Sequence, residues 1–282
     1  MPPVPETVAA RFQSLRAILF DLDGVLTPTI DVHIAAWSRL FTEYLAEVGS
    51  IPAYTTADYY AHIDGKPRAD GVRSMLAARG ITLPEGTPDD PIDASTVWGL
   101  GNRKNDEFST VLESEGVRPY AGSVAFLDAS IAAGLRVAVV TSSRNGLRVL
   151  DVAGLRGRFP TVVDGLIAAE RGLPGKPAPD TYVYGAQLLG LEPSQCAIVE
   201  DAISGVAAGR SGGFGLVIGL DRGVSAEALL ASGADVVVSD LDELTHYLPV
   251  CTGAALDPAA HDGATHDDAH DGVAAHDTGE DG

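Results

Sequence analysis

The chain has 282 residues, 45% of them hydrophobic, which is enough apolar mass for an α/β core with a modest insertion or for two small domains. Its formal charge is −20, from 19 Lys and Arg against 39 Asp and Glu. A surface this negative argues against nucleic acid and acidic membranes as partners, and it repels phosphate too, so any phosphate site must be a local island of cations. No apolar run reaches the about 18 residues of a membrane-spanning helix. The opening MPPVPETVAARFQSLR lacks the apolar stretch of a signal peptide. Cys196 and Cys251 stand far apart in sequence and make no disulfide framework. The reading is a soluble, cytoplasmic, monomeric protein.

In chain order, residues 17–20 form the first short apolar run and read as a buried strand. The stretch from 29 to 115 shows no convincing strand. Ile34, Trp37, Phe41, Tyr44, Leu45 and Val48 recur at helical spacing, and 73–79, 97–100 and 105–112 also read as helical. LPEGTPDDPIDAS within it reads as a polar loop. Beyond it, apolar runs at 135–140, 197–199, 216–218 and 236–238, with a weaker one at 161–163, alternate with helical segments. One helix spans 180–189 after Pro179, a good first helical residue, and another includes 205–209. This alternation predicts an α/β fold: a Rossmann-like parallel sheet with helices on both faces, and ligands at the carboxyl ends of its strands. Asp21, Thr141 and Asp201 fall at those ends.

The expected domains are a catalytic core of 1–28 and 116–251, a helical cap of 29–115 inserted after the first strand, and a tail of 252–282. The tail holds eight acids and four histidines with no Lys or Arg, so it reads as solvated and disordered. Weak metal binding is the alternative for this His/Asp-rich tract, although its spacing matches no structural metal site.

Asp21 and Asp23 sit two apart in Phe20-Asp21-Leu22-Asp23-Gly24-Val25, so in an extended segment both carboxylates face one point. They repel each other unless a metal neutralises them or one keeps its proton. On its own the motif reads equally well as an acidic turn. Thr141, Ser142 and Ser143 end the second run with three hydroxyls able to hold phosphate oxygens. Lys176 stands just before a helix in Gly175-Lys176-Pro177-Ala178-Pro179-Asp180. Glu200 and Asp201 end another buried run, where two unpaired acids are costly and call for a cation. Magnesium fits, since it prefers carboxylate, water and phosphate oxygens.

The ordered set DLDGV, TSS, KPAPD and EDAISGV, across about residues 18–210, resembles the haloacid dehalogenase superfamily. His33 with Trp37, Gly65-Lys66-Pro67-Arg68, Arg103-Lys104-Asn105-Asp106 and Ser142-Ser143-Arg144-Asn145-Gly146 narrow the resemblance to its β-phosphoglucomutase group. The resemblance implies that Asp21 attacks phosphorus and forms an aspartyl phosphate. It implies that Asp23 protonates the leaving oxygen and later deprotonates the acceptor. Thr141, Ser142 and Lys176 would hold the transferring phosphate. Asp21, the Asp23 main-chain carbonyl and Asp201 would bind Mg2+, with Glu200 beside them or reached through water. Arg68, Ser143, Arg144 and Asn145 would grip a second phosphate, and His33, Trp37, Gly65, Lys66 and Lys104 would line the sugar. General acid work requires a raised pKa, and the neighbouring Asp21 charge is expected to supply it for Asp23.

The cap residues also have plainer readings. Trp37 lies on the apolar stripe of a helix, His33 just precedes that stripe, Arg68 follows Pro67 in a polar turn, and Lys104 opens a charged helical segment. Pro28 stands where the group usually has an aspartate, and Gly71 where it often has a serine. The expected function is interconversion of β-glucose 1-phosphate and glucose 6-phosphate through a bisphosphate. A magnesium-dependent phosphatase acting on a small sugar or polyol phosphate is the alternative, and a non-catalytic sugar-phosphate-binding protein is a second.

Overall fold

The computed structural model describes residues 6–49 and 52–249. The expectations for the 252–282 tail and for Cys251 lie outside these residues. Six parallel strands make one sheet in the order β3-β2-β1-β4-β5-β6. They are β1 (Ala17–Phe20), β2 (Arg136–Val140), β3 (Thr161–Val163), β4 (Cys196–Glu200), β5 (Leu216–Leu220) and β6 (Val236–Val238). β1 is central, with Phe20 paired to Val139 on one side and Val199 on the other. The order reverses at β1, so its carboxyl end opens onto the crevice where such sheets bind ligands.

Each inner strand buries both faces, which is why the runs read as continuously apolar. Ile18 and Phe20 enter a cluster with Phe12 of α1 (Glu6–Phe12), Phe126 of α6 (Ala121–Ala132) and Leu150 of α7 (Gly146–Val152). Ala17 and Leu19 enter the opposite cluster with Tyr182 of α9 (Asp180–Leu188), Val206 of α10 (Ile203–Ser211) and Leu229 of α11 (Ala226–Ala231). Fully burying Phe20 alone contributes about 1.5–3 kcal/mol. A short helix α8 (Gly165–Glu170) follows β3 and is capped by the Asp164 side chain.

Between β1 and β2 come α2 (Thr29–Glu47), α3 (Thr56–His62), α4 (Arg68–Ala78) and α5 (Val97–Glu115). They share a third apolar cluster that includes Trp37, Phe41, Val72, Met75 and Leu100. Residues 83–95 form a loop, as their polar composition suggests. Two helical expectations change. The segments 97–100 and 105–112 are one helix, because Asn102 to Lys104 are polar but carry no helix breaker, and Lys104 turns inward. Arg68 is not in a turn but opens α4, with Pro67 just before it at the helix cap. α3 was not legible as a helix.

Candidate active site

The carboxyl ends of β1, β2 and β4 place the reactive side chains. Asp21 follows β1, and its N–H donates to the Val199 carbonyl at 3.0 Å. Its residue exposure is only 7%. The chain then turns sharply: Gly24 has φ +87°, and a Cβ there would overlap the Asp201 carboxylate. Only glycine permits both that backbone and that approach. Thr141 follows β2, its N–H donating to the Val163 carbonyl at 2.9 Å. Its hydroxyl accepts the Ser143 N–H at 3.1 Å.

Lys176 reaches into the same point from the loop before α9. Its Nζ lies 2.5 Å from Asp21 Oδ1, 2.5 Å from Glu200 Oε1 and 3.3 Å from the Val140 carbonyl. Burial opposes its charge, but Asp21 and Glu200 outweigh burial and raise its pKa. Tyr182 donates to Glu200 Oε1 at 2.8 Å, and the Ala202 N–H donates to Oε2 at 3.2 Å. Glu200 is therefore held on three sides.

Carboxylate oxygens of Asp21, Glu200 and Asp201 lie within 4.8 Å of one another, all buried. Burial, then Glu200 and Asp23, push Asp21 well above the usual carboxylate range in spite of Lys176. Burial, then Asp64 and Asp21, do the same to Asp201. One ammonium does not offset three buried acids. An all-oxygen donor set with surplus negative charge suits a hard divalent cation such as magnesium. The Asp23 carboxylate is not in this cluster, so only its main-chain carbonyl is left for the metal role the resemblance implies.

Asp23 turns to the helical side instead. It accepts from the Thr29 hydroxyl, and His33 Nε2 faces its Oδ1 at 3.5 Å, long for a hydrogen bond. Lys104 Nζ lies 2.5 Å from His33 Nδ1. Burial and Lys104 lower the pKa of His33 in spite of Asp23. Burial alone would raise Asp23, but His33, Thr29 and Lys104 outweigh it and the pKa is lowered. The expectation of a raised Asp23 is thus corrected: the neighbours favour its carboxylate. Burial brings Lys104 down to about 7.

The far side of the cleft is cationic. Arg68 donates to Asn102 Oδ1 at 3.1 Å, and its Nε is buried with no partner among the described residues. Burial and Arg144 lower it to about 10. Arg144 lies over the Trp98 ring at 5.9 Å, and Asn145 donates to Asn105 Oδ1 at 2.7 Å. Ser142 donates to the Gly65 carbonyl at 3.0 Å, and Ser143 accepts the Asn145 N–H at 3.1 Å. Every site residue expected from the sequence lines this one cleft. Two of them are committed elsewhere as well. Lys66 Nζ donates to the His62 carbonyl and the Ser74 hydroxyl, so its charge turns toward α3 and α4. Trp37 is 4% exposed and stacks on Phe41 at 5.5 Å, so the helical core holds most of its ring.

Sequence reasoning missed Thr29, Tyr182 and Asp64. Thr29 opens α2 beside Pro28, and Tyr182 sits in an apolar helix stripe; neither carries a motif. Asp64 precedes Gly65 and lines the cleft, with burial and Glu200 raising it to about 7. Its signal was adjacency to the GKPR turn.

The family profile described as haloacid dehalogenase-like hydrolase matches residues 15–213. The chain is 48% identical over 252 residues to a β-phosphoglucomutase of Mycobacterium tuberculosis, covering 86% of this chain and 96% of that protein. It is 29% identical over 232 residues to hexitol phosphatase A of Escherichia coli, covering 82% and 93%. The crystal structure of a β-phosphoglucomutase from Clostridium difficile has the same fold, with a TM-score of 0.66, 21% identity and coverage of 82% and 93%.

Proposed function

The chain belongs to the haloacid dehalogenase-like hydrolase family, and from that premise we propose that it is a β-phosphoglucomutase, cytoplasmic and monomeric. The substrate is a small phosphorylated sugar, β-glucose 1-phosphate, converted to glucose 6-phosphate. The observation that carries this reading is that one cleft is lined by Arg68 and Arg144, which pair with no carboxylate among the described residues, as well as by Lys176, which is paired with Asp21 and Glu200. A phosphatase needs one phosphate grip, whereas an enzyme passing through a bisphosphate needs two.

In this reading Asp21 attacks phosphorus in line, the bond from phosphorus to the sugar oxygen breaks, and the phosphoryl group stays on the Asp21 carboxylate. Asp23 supplies a proton to the leaving oxygen and takes one from the sugar hydroxyl that attacks the aspartyl phosphate. Its lowered pKa suits the second of these tasks, because a carboxylate accepts the hydroxyl proton. Lys176, Thr141 and the Ser142 main chain hold the phosphoryl oxygens, and phosphoryl transfer depends mostly on such positioning and charge neutralisation. Magnesium, held by Asp21, the Asp23 main-chain carbonyl and Asp201 with Glu200 beside them, would neutralise charge on those oxygens. Arg68, Ser143, Arg144 and Asn145 hold the other phosphate, while His33, Lys104 and the Gly65–Lys66 turn face the sugar. Helices α2–α5 act as a cap that keeps water from the phosphoenzyme.

The test is incubation with Mg2+, β-glucose 1-phosphate and a trace of the bisphosphate, following glucose 6-phosphate and free phosphate together. Glucose 6-phosphate should greatly exceed free phosphate. Free phosphate as the main product would move the phosphatase reading ahead.

A further inference from the structure

Arg222, in the loop after β5, belongs to none of the motifs above, yet it touches both chain segments that join α2–α5 to the sheet. Its Nε donates to the Gly24 carbonyl at 3.2 Å, next to Asp23. Its guanidinium carbon lies 3.9 Å over the ring of Tyr120, which ends the second joining segment. Its Nη1 donates to the Ser239 carbonyl at 3.2 Å, anchoring the group to the sheet side beyond β6. The Tyr120 N–H donates to the Leu26 carbonyl at 3.0 Å, so the two segments are also bonded to each other at this point. The buried Nη2 has no partner among the described residues. An unpaired buried donor is costly, so the guanidinium is held inward by its other contacts rather than relaxed into solvent.

Asp21 is 7% exposed at the floor of the cleft. How closely α2–α5 sit over the strand ends sets how a sugar phosphate reaches it. Segments 21–28 and 116–120 are the covalent ties between the two, and any change in that spacing passes through them. We propose that Arg222 is a positioning residue that clamps these two segments together. It fixes the Asp23 turn and sets how tightly the helical layer closes over Asp21. Closure decides whether the phosphoryl group on Asp21 passes to a sugar hydroxyl or to water. This rests on the phosphoryl-transfer reading above.

The test uses the full chain with Mg2+ and the variants Arg222→Met, Tyr120→Phe and Tyr120→Leu. The ratio of free phosphate to glucose 6-phosphate is measured with β-glucose 1-phosphate and trace bisphosphate. Hydrogen exchange at 24–27 and 116–121 and the melting temperature are measured in parallel. Arg222→Met should raise the ratio about tenfold, the scale of one charged contact, and speed exchange in both segments. Tyr120→Phe keeps the ring and should match the unmodified protein. Tyr120→Leu should reproduce Arg222→Met, and combining the two should add little further. An unchanged ratio, or both products falling in step with the melting temperature, would overturn the clamp. If the unmodified protein forms no glucose 6-phosphate, the functional reading fails separately. Exchange in 24–27 and 116–121 then decides the clamp: unaltered exchange in Arg222→Met overturns it.

Discussion

Asp21 and Asp23 stand on one turn, two residues apart, and their surroundings drive them in opposite directions. Burial with Glu200 and Asp23 raises Asp21, while His33, Thr29 and Lys104 overcome burial to lower Asp23. Environments that push two carboxyls apart assign them different tasks. Asp21→Asn should reduce kcat to below about a thousandth, the scale of nucleophile removal. A larger residual kcat in a single-turnover assay would remove Asp21 from the role. His33 is the largest of the influences that lower Asp23. In His33→Leu that influence is lost and the Asp23 pKa rises. A base works above its pKa, so the acidic limb of the kcat/KM profile should move to higher pH. A limb that stays in place or moves down would mean that another group governs it.

At the scale of elements, the strands were legible because a strand buried on both faces is apolar throughout, and all six apolar runs are strands. The acids and hydroxyls at their ends were legible because a buried run that stops on Asp21, Thr141 or Glu200 has to satisfy that group. The helical layer was less legible. α3 is a helix of seven residues, too short to show a periodic stripe, and α5 hides its continuity behind Asn102, Arg103 and Lys104. Thr29, Tyr182 and Arg222 act through tertiary contacts up to 198 residues apart in sequence, which no local pattern carries. Arg68 shows what helix placement adds: at the start of α4 its guanidinium is fixed toward α5 and Arg144 instead of free in a turn. Arg68→Ala should cost about 2–4 kcal/mol in kcat/KM for the mutase reaction, comparable to truncating a buried charged contact. Hydrolysis of acetyl phosphate, which has no distal phosphate, should be nearly unchanged. Equal losses in both assays would make Arg68 structural; no loss in either would put the second phosphate grip elsewhere.

For the whole molecule, a formal charge of −20 and three buried acids around one lysine mean that the fold carries electrostatic cost at its centre. Among the described residues no helix is long and apolar enough to cross a membrane. Asp21 and Asp201 hold their protons well above the unfolded value of 3.8. At these two groups the folded state therefore binds more protons than the unfolded state once pH exceeds 3.8, and their contribution to stability falls as pH rises through their folded pKa values. Their contribution is fully present below 3.8 and is lost upward from there. A divalent cation replaces those protons, so its binding releases them and strengthens with pH. Magnesium at a hundred times its Kd should stabilise by about 2.7 kcal/mol. At about 2–4 °C per kcal/mol for a chain of this class, that is a gain of about 5–11 °C. The gain should be small at pH 5 and grow toward pH 8, measured against sodium chloride of equal ionic strength to subtract screening of the surface charge. Excess chelator should remove both the gain and the turnover. Asp201→Asn lacks one of the three carboxylates, so it should lose most of the magnesium gain and show a shallower fall of stability with pH. A melting temperature insensitive to magnesium at pH 8, or a gain that shrinks as pH rises, would show that these acids are not a cation site.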